Sequence, residues 1–134
     1  MSKVGLFIIK EHKSSITKKK IFNEFLKILN DDLENVVFSE TKDGLDMLYV
    51  FLDIEKQKKI YDLFKKYSVL SSYKDLTKNF LYQKNLDIIF NNDEFKKILI
   101  KFLDSNLDKD TVLDKINDLG ISSLNEIDYN ILKK

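Results

Sequence analysis

Five lysines crowd one short stretch near the N-terminus: Lys10, Lys13, Lys18, Lys19 and Lys20, interleaved with Ser14, Ser15 and Thr17. Ammonium and hydroxyl groups at this density can hold a phosphate or a longer polyanion. A helix that starts among them adds free backbone N–H groups. Three consecutive lysines in a first helical turn oppose the macrodipole, at about 0.3–1 kcal/mol each when exposed. The candidate anion or nucleic-acid-binding set is Lys10, Lys13, Ser15, Lys18, Lys19 and Lys20. Lysine is also the default polar residue of this chain, so a solvated helix face accounts for the same letters.

Three further groups invite chemistry. Asp104, Asn106, Asp108 and Asp110 alternate like the start of a calcium loop, but Lys109 stands where the sharp turn wants Gly and Lys115 where a bidentate Glu should close the site. The same stretch reads as an acidic loop whose Asp108 or Asp110 caps the next helix. His12 is the single histidine, with Glu11, Ser14 and Ser15 beside it. A triad is spatial rather than sequential, one His cannot build a multi-His metal site, and no nucleophile elbow is present. Gly5, Gly44 and Gly120 are isolated, so no P-loop or dinucleotide fingerprint exists. Tyr73, Tyr82 and Tyr129 fall off clean apolar faces. They are the candidate protein-interface residues, able to anchor a partner or to stack on bases. No catalytic residue, metal site or cofactor is expected.

Composition limits what these groups can do. The 134 residues are 43% hydrophobic and 12% aromatic, enough to fill a core. The formal charge of +1 argues against a body that is polycationic throughout. Cysteine is absent, which removes disulfides, thiolate metal sites and a Cys nucleophile. Arg, Ala, Pro and Trp are absent too, a pattern that points to an AT-rich genome. Without Arg there is no planar fork for bidentate phosphate or guanine contacts, so an anion must be met by Lys point charges, hydroxyls or backbone N–H groups. No apolar run approaches the ~18 residues of a membrane span, and the cytoplasm is the expected location.

The elements that must position these groups follow from periodicity. Residues 4–10 read as a buried strand. Lys18–Leu33 reads as a helix with Ile21, Phe22, Phe25, Leu26, Leu29 and Leu33 on one face, capped by Ser15 or Thr17. Residues 36–41 and 45–52 form a hairpin about Asp43-Gly44. Asp53 caps a second helix with Ile60, Leu63, Phe64 and Tyr67 inward. Residues 69–77 supply a last strand, interrupted by Ser71, Ser72, Lys74 and Asp75. The expected fold class is α+β, a ferredoxin-like βαββα(β) module over residues 1–80, followed by a helical segment over 81–134 packed on it or continuous with it. In that segment Asn92–Glu94 open a helix facing inward through Phe95, Ile98, Leu99, Phe102 and Leu103. Thr111–Leu119 forms another, with Val112, Leu113 and Ile116 inward and Gly120 as its stop. Ser123 to Glu126 reads as a capping box for a last helix bearing Leu124, Ile127, Ile131 and Leu132.

Thr111–Leu132 resembles the short helical tail of some bacterial proteins, including the cytoplasmic ends of certain rhomboid proteases. The shared features are Leu113-Asp114-Lys115-Ile116, Gly120, Ser123-Leu124, Asp128 and Leu132. The resemblance implies a bacterial source and a compact helix-turn-helix, and it brings no catalytic residue. For residues 1–110 no family is recognised. The expected function is a small cytoplasmic, non-enzymatic protein-binding module, an adaptor or inhibitor of a larger macromolecule. The alternative is a phosphate- or nucleic-acid-binding accessory protein that uses the Lys10–Lys20 cluster. A protein partner is the first expectation and a nucleic acid the second, with no membrane and the oligomeric state open.

Overall fold

The computed structural model describes residues 2–10, 13–82 and 92–134. His12 and Glu11, and with them any Ser-His-acid set, lie outside the described residues. The chain divides into two compact units, Met1–Leu76 and Thr77–Lys134. The architecture is α+β, with a four-stranded antiparallel sheet and several helices.

The first unit runs β1 (Lys3–Ile9), α1 (Ser15–Ile28), α2 (Leu33–Val36), β2 (Val37–Lys42), β3 (Leu45–Leu52), α3 (Ile54–Lys66) and β4 (Leu70–Asp75). The sheet order is β2-β3-β1-β4 and every neighbouring pair is antiparallel. β1 and β2 are therefore parallel with β3 between them, and β3 and β4 are parallel with β1 between them. Each helical connection crosses over one strand. Asp43 and Gly44, at φ 53° and 78°, make the two-residue turn from β2 to β3. Both residues need positive φ there, as in the primed hairpin turns.

Strand pairing sets which side chains share a face. Phe7, Leu48 and Ser39 lie in one row, and Ile9, Asp46 and Thr41 in the next. This face carries the two long helices. Phe25 and Leu29 from the α1 side and Ile60, Leu63 and Phe64 of α3 share one core cluster with Phe7, Val50 and Leu52. Phe64 meets Phe7 edge-on and stacks on Phe25, each at 5.7 Å between centroids. The opposite face bears Val4, Leu6, Tyr49 and Phe51, all buried.

α1 differs from the sequence expectation at both ends. Its N-cap is Ser14, whose Oγ accepts from the Thr17 N–H, so Ser15 is the first helical residue and not the cap. The helix stops at Ile28 because Asn30 and Asp31 turn to φ 53° and 61°. Leu33 to Val36 then form a separate single turn, and Val36 belongs to it and not to the strand. In α3, Asp53 caps through the Lys56 N–H as the sequence indicates. Gln57 is buried there beside Ile60, which apolar periodicity does not anticipate.

The second unit contains α4 (Thr77–Leu81), α5 (Asp93–Asn106), α6 (Lys109–Leu119), a 3-10 turn (Ile121–Ser123) and α7 (Glu126–Leu132). Asn92 caps α5 by accepting from the N–H groups of Glu94 and Phe95. Phe95, Ile98, Leu99, Phe102 and Leu103 are all buried, as the spacing requires. In α6 the inward set is corrected: Val112 and Lys115 are buried, whereas Leu113 is exposed. The capping box is also displaced. It joins Asn125 to Asp128, while Ser123 closes the 3-10 turn through its Oγ to the Gly120 carbonyl. Gly120 has positive φ but an extended ψ of 164°, so the stop is not the αL cap expected.

Candidate functional site

Three of the five clustered lysines meet at one cleft. A cavity of about 530 Å³ lies between α1 and the sheet, with Lys10, Lys13 and Lys18 in its lining. Its floor is apolar, built from Ile21, Phe25, Leu33, Leu48 and Phe64 among others. Ser39, Glu40, Thr41 and Asp46 complete it on the side of β2 and β3. That volume falls in the ~300–1,000 Å³ range of sites that hold a small ligand or a few side chains.

The cleft exists because the sheet changes character along its length. At one end Phe7, Val50 and Leu52 face the helices and α1 closes on them through Phe25 and Leu29. At the other end the same face carries Ser39, Thr41 and Asp46, which are short or polar. These short or polar groups leave a cleft under the first turns of α1 among the described residues. Thr41 Oγ1 donates to Asp46 Oδ1 at 2.9 Å, which gives that carboxylate a partner within the sheet. The helix stripe above it runs Lys18, Ile21, Phe22 and Phe25. Phe25 is 4% exposed but Phe22 is 48% exposed, so α1 is anchored at its C-terminal half and open at its N-terminal half.

Backbone contacts fix where the lysines stand. The Lys10 N–H donates to the Val69 carbonyl at 2.7 Å, tying the end of β1 to the segment before β4. Ser14 Oγ donates to Thr17 Oγ1 at 3.1 Å, which occupies two of the hydroxyls read as anion ligands. Lys19 and Lys20 are exposed on α1 outside the cleft lining, and Ser15 is exposed at its first turn. Glu40, on edge strand β2, accepts from the Tyr49 hydroxyl at 3.4 Å. Burial, then the Glu40 charge and this hydrogen bond, push the Tyr49 hydroxyl above its ordinary value.

The three candidate tyrosines sit in different settings. Tyr73, half-buried on β4, donates through its hydroxyl to Gln57 Oε1 at 2.7 Å and tilts against Phe7 at 4.8 Å. Gln57 Nε2 in turn donates to the carbonyls of Lys3 and Leu52. Tyr73 thus contributes to helix-on-sheet packing, and burial raises its hydroxyl pKa, aided by Asp75. Tyr82 belongs to the second unit, where its hydroxyl donates to Asp118 Oδ2 at 3.3 Å and Lys78 Nζ lies 5.3 Å from its ring centre. Tyr129, on α7, is 46% exposed.

The Asp104–Asp110 stretch is not a loop. Asp104 and Asn106 are helical in α5, and only Leu107 and Asp108 separate α5 from α6. Asp108 caps α6 by accepting from the N–H and hydroxyl of Thr111, both at 2.8 Å. Those bonds hold its carboxyl below its ordinary pKa. Among the described residues no group of three or more His, Asp or Glu is placed to hold a metal ion. Among them also, no helix is long and apolar enough to cross a membrane.

The sequence reading identified the lysines of the cleft but not its floor. By spacing alone Ile21, Phe22 and Phe25 read as one continuous core face. The signal that could have separated them is the switch to polar residues at the alternate positions Ser39, Thr41 and Asp46. No family model matches the chain, the Thr111–Leu132 stretch included. No curated protein and no solved structure matches it.

Proposed function

We propose that this protein is a non-enzymatic binding module, an adaptor or inhibitor that engages a protein partner through the cleft beneath α1. The observation that carries this reading is the cleft itself: an apolar floor open to solvent at Phe22, with Lys10, Lys13 and Lys18 in its lining. Such a surface gains by burying a partner's apolar side chains while cations guide the approach. We also read the first unit as ferredoxin-like. The strand order β2-β3-β1-β4 and the two crossover helices on one face support this. That fold hosts many functions and adds nothing to the functional argument.

Phosphate or nucleic-acid binding is the second reading, favoured by Lys19 and Lys20, two further exposed cations on the same helix outside the cleft lining. Against it stand Glu40 and Asp46 in the lining and the apolar floor. The test compares captures from native lysate by wild type, by a Ser39→Trp variant that fills the cleft, and by a triple Lys18→Gln, Lys19→Gln, Lys20→Gln variant. Each is run with and without nuclease. A nuclease-resistant protein lost only with Ser39→Trp is the expected outcome. A nuclease-sensitive catch that falls steeply with salt and is lost in the lysine variant overturns the reading in favour of nucleic acid.

A further inference from the structure

We infer that β2 is the surface through which two copies of this chain join, edge to edge and antiparallel, about a two-fold axis through Ser39. The inference goes beyond the partner-binding reading and does not depend on it.

The first observation is a row of open backbone groups. β2 forms one edge of the sheet. The N–H groups of Lys10 and Leu76 donate to the Val69 and Val4 carbonyls, so even-numbered residues of β1 turn their backbone toward β4. Backbone direction alternates along an antiparallel strand. Odd residues of β1 therefore turn to β3, which leaves Met47 and Tyr49 to bond Glu40 and Phe38 of β2. Val37, Ser39 and Thr41 turn outward. The Val37 N–H is taken by the Leu33 carbonyl of α2. The Val37 carbonyl and both backbone groups of Ser39 and Thr41 have no partner among the described residues. Such a row is a template for another strand. The opposite edge strand, β4, is interrupted by a register shift beside Ile8 and Ile9, a device that discourages pairing. β2 pairs without a break, and Ser39 to Lys42 are exposed.

Charge selects a second copy as the added strand. Ile9, Asp46 and Thr41 share a row, so the end of β1 and the first turn of α1 lie at the hairpin end of β2. There Lys10, Lys13, Lys19, Lys20 and Lys42 outnumber Asp43 and Asp46. At its other end β2 follows α2, where Asp31, Asp32 and Glu34, all exposed, outnumber Lys27. The length of the strand holds these ends about 20 Å apart, beyond the ~8 Å screening length. They do not neutralise each other within one copy. In an antiparallel pair each basic end lies beside the acidic end of the other copy, and the two-fold makes that match twice.

Register follows from the open groups and from Glu40. With Ser39 on the axis, the Ser39 N–H of each copy donates to the Ser39 carbonyl of the other. The Thr41 N–H of each donates to the Val37 carbonyl of the other. Moving the axis to Glu40 would set two like charges face to face.

The test is sedimentation velocity on the full chain from about 1 μM to about 1 mM. Wild type should move reversibly from 15.8 kDa toward twice that mass. Ser39→Pro removes an outward N–H, which an edge strand tolerates. It should stay monomeric, with circular dichroism to check its fold. Charge reversal tests the arrangement without touching the backbone. Lys13→Glu with Lys42→Glu, and Asp32→Lys with Glu34→Lys, should each weaken dimerisation about tenfold, and the four changes together should restore it. The Ser39 and Thr41 amides should gain hydrogen-exchange protection as concentration rises. A mass that stays at 15.8 kDa, assembly beyond two copies, a dimer that persists in Ser39→Pro, unprotected amides, or reversals that fail to rescue each other overturns the inference. A monomeric wild type whose captured lysate protein is lost with Ser39→Pro assigns the edge to a foreign strand and also overturns it.

Discussion

Two buried polar residues set the stakes at the scale of single side chains. Lys115 Nζ and Asp128 Oδ2 pair at 2.7 Å with side chains 1% and 0% exposed, and the same oxygen accepts from the Asn125 N–H. Removing one partner strands a charge where water cannot reach it, at a cost of about 3–5 kcal/mol. Lys115→Met and Asp128→Asn should each show that loss in urea unfolding. A joint Lys115→Met, Asp128→Leu replacement should recover part of it, because an apolar pair leaves no unmatched charge but does leave the Asn125 N–H without its acceptor. In the first unit, a Cβ at Gly5 would collide with Gln57 Oε1 and stand 2.8 Å from the Tyr73 ring. Gly5→Ala should therefore destabilise by about 1–3 kcal/mol, the usual cost of overpacking. Shortening Gln57 to Ala alongside it should return only part, since the Tyr73 contact remains.

At the scale of elements, caps and turns decide where helices begin and strands reverse. Asn92 satisfies two free N–H groups at the start of α5. Asn92→Ala should cost about 1 kcal/mol in thermal unfolding. Asp108 does the same for α6 as a carboxylate, and its pKa is lowered by the bonds from Thr111. A lowered folded pKa means the contribution is present above the ordinary value of 3.8 and disappears as pH falls through the folded one. Asp108→Asn should remove that acid dependence while keeping the cap. The opposite sign holds on the sheet. The Tyr49 and Tyr73 hydroxyls are raised by burial. Their contribution is complete below the ordinary value of 10.0 and is lost as pH rises through the raised one. Alkaline denaturation should shift upward in Tyr49→Phe and Tyr73→Phe relative to what their lost hydrogen bonds alone would give at neutral pH.

At the scale of the whole molecule, the near-cancellation of charge matters most. A formal charge of +1 and an isoelectric point near 7.8 leave little net repulsion between copies at neutral pH. Turbidity at fixed protein concentration should peak near that pH and fall on either side. The same balance means that any attraction for polyanions must come from the local arrangement of Lys10, Lys13, Lys18, Lys19 and Lys20, not from the body of the chain. The division into two units, Met1–Leu76 and Thr77–Lys134, places the cleft wholly in the first and the Lys115–Asp128 pair wholly in the second.

Local chemistry determined most of the elements. Asp43-Gly44 needed only its own backbone preferences to make a hairpin turn, and Asp53 and Asn92 announced helix starts by the oxygens they carry. The face of α5 was legible because five apolar residues recur at 3.6 spacing, a pattern that no tertiary contact is needed to read. Periodicity failed where polar groups turn inward. Gln57 is buried because its amide bridges the carbonyls of Lys3 and Leu52 to the Tyr73 hydroxyl, partners that lie in three different strands. Lys115 is buried because Asp128, thirteen residues on, returns to meet it. The cleft was the least legible feature of all. It forms where the short or polar side chains of Ser39, Thr41 and Asp46 come to lie under the first turns of α1. The β2–β3 hairpin by itself brings those residues together, but only the pairing of β1 with β3, positions distant in the chain, sets α1 over the face that bears them.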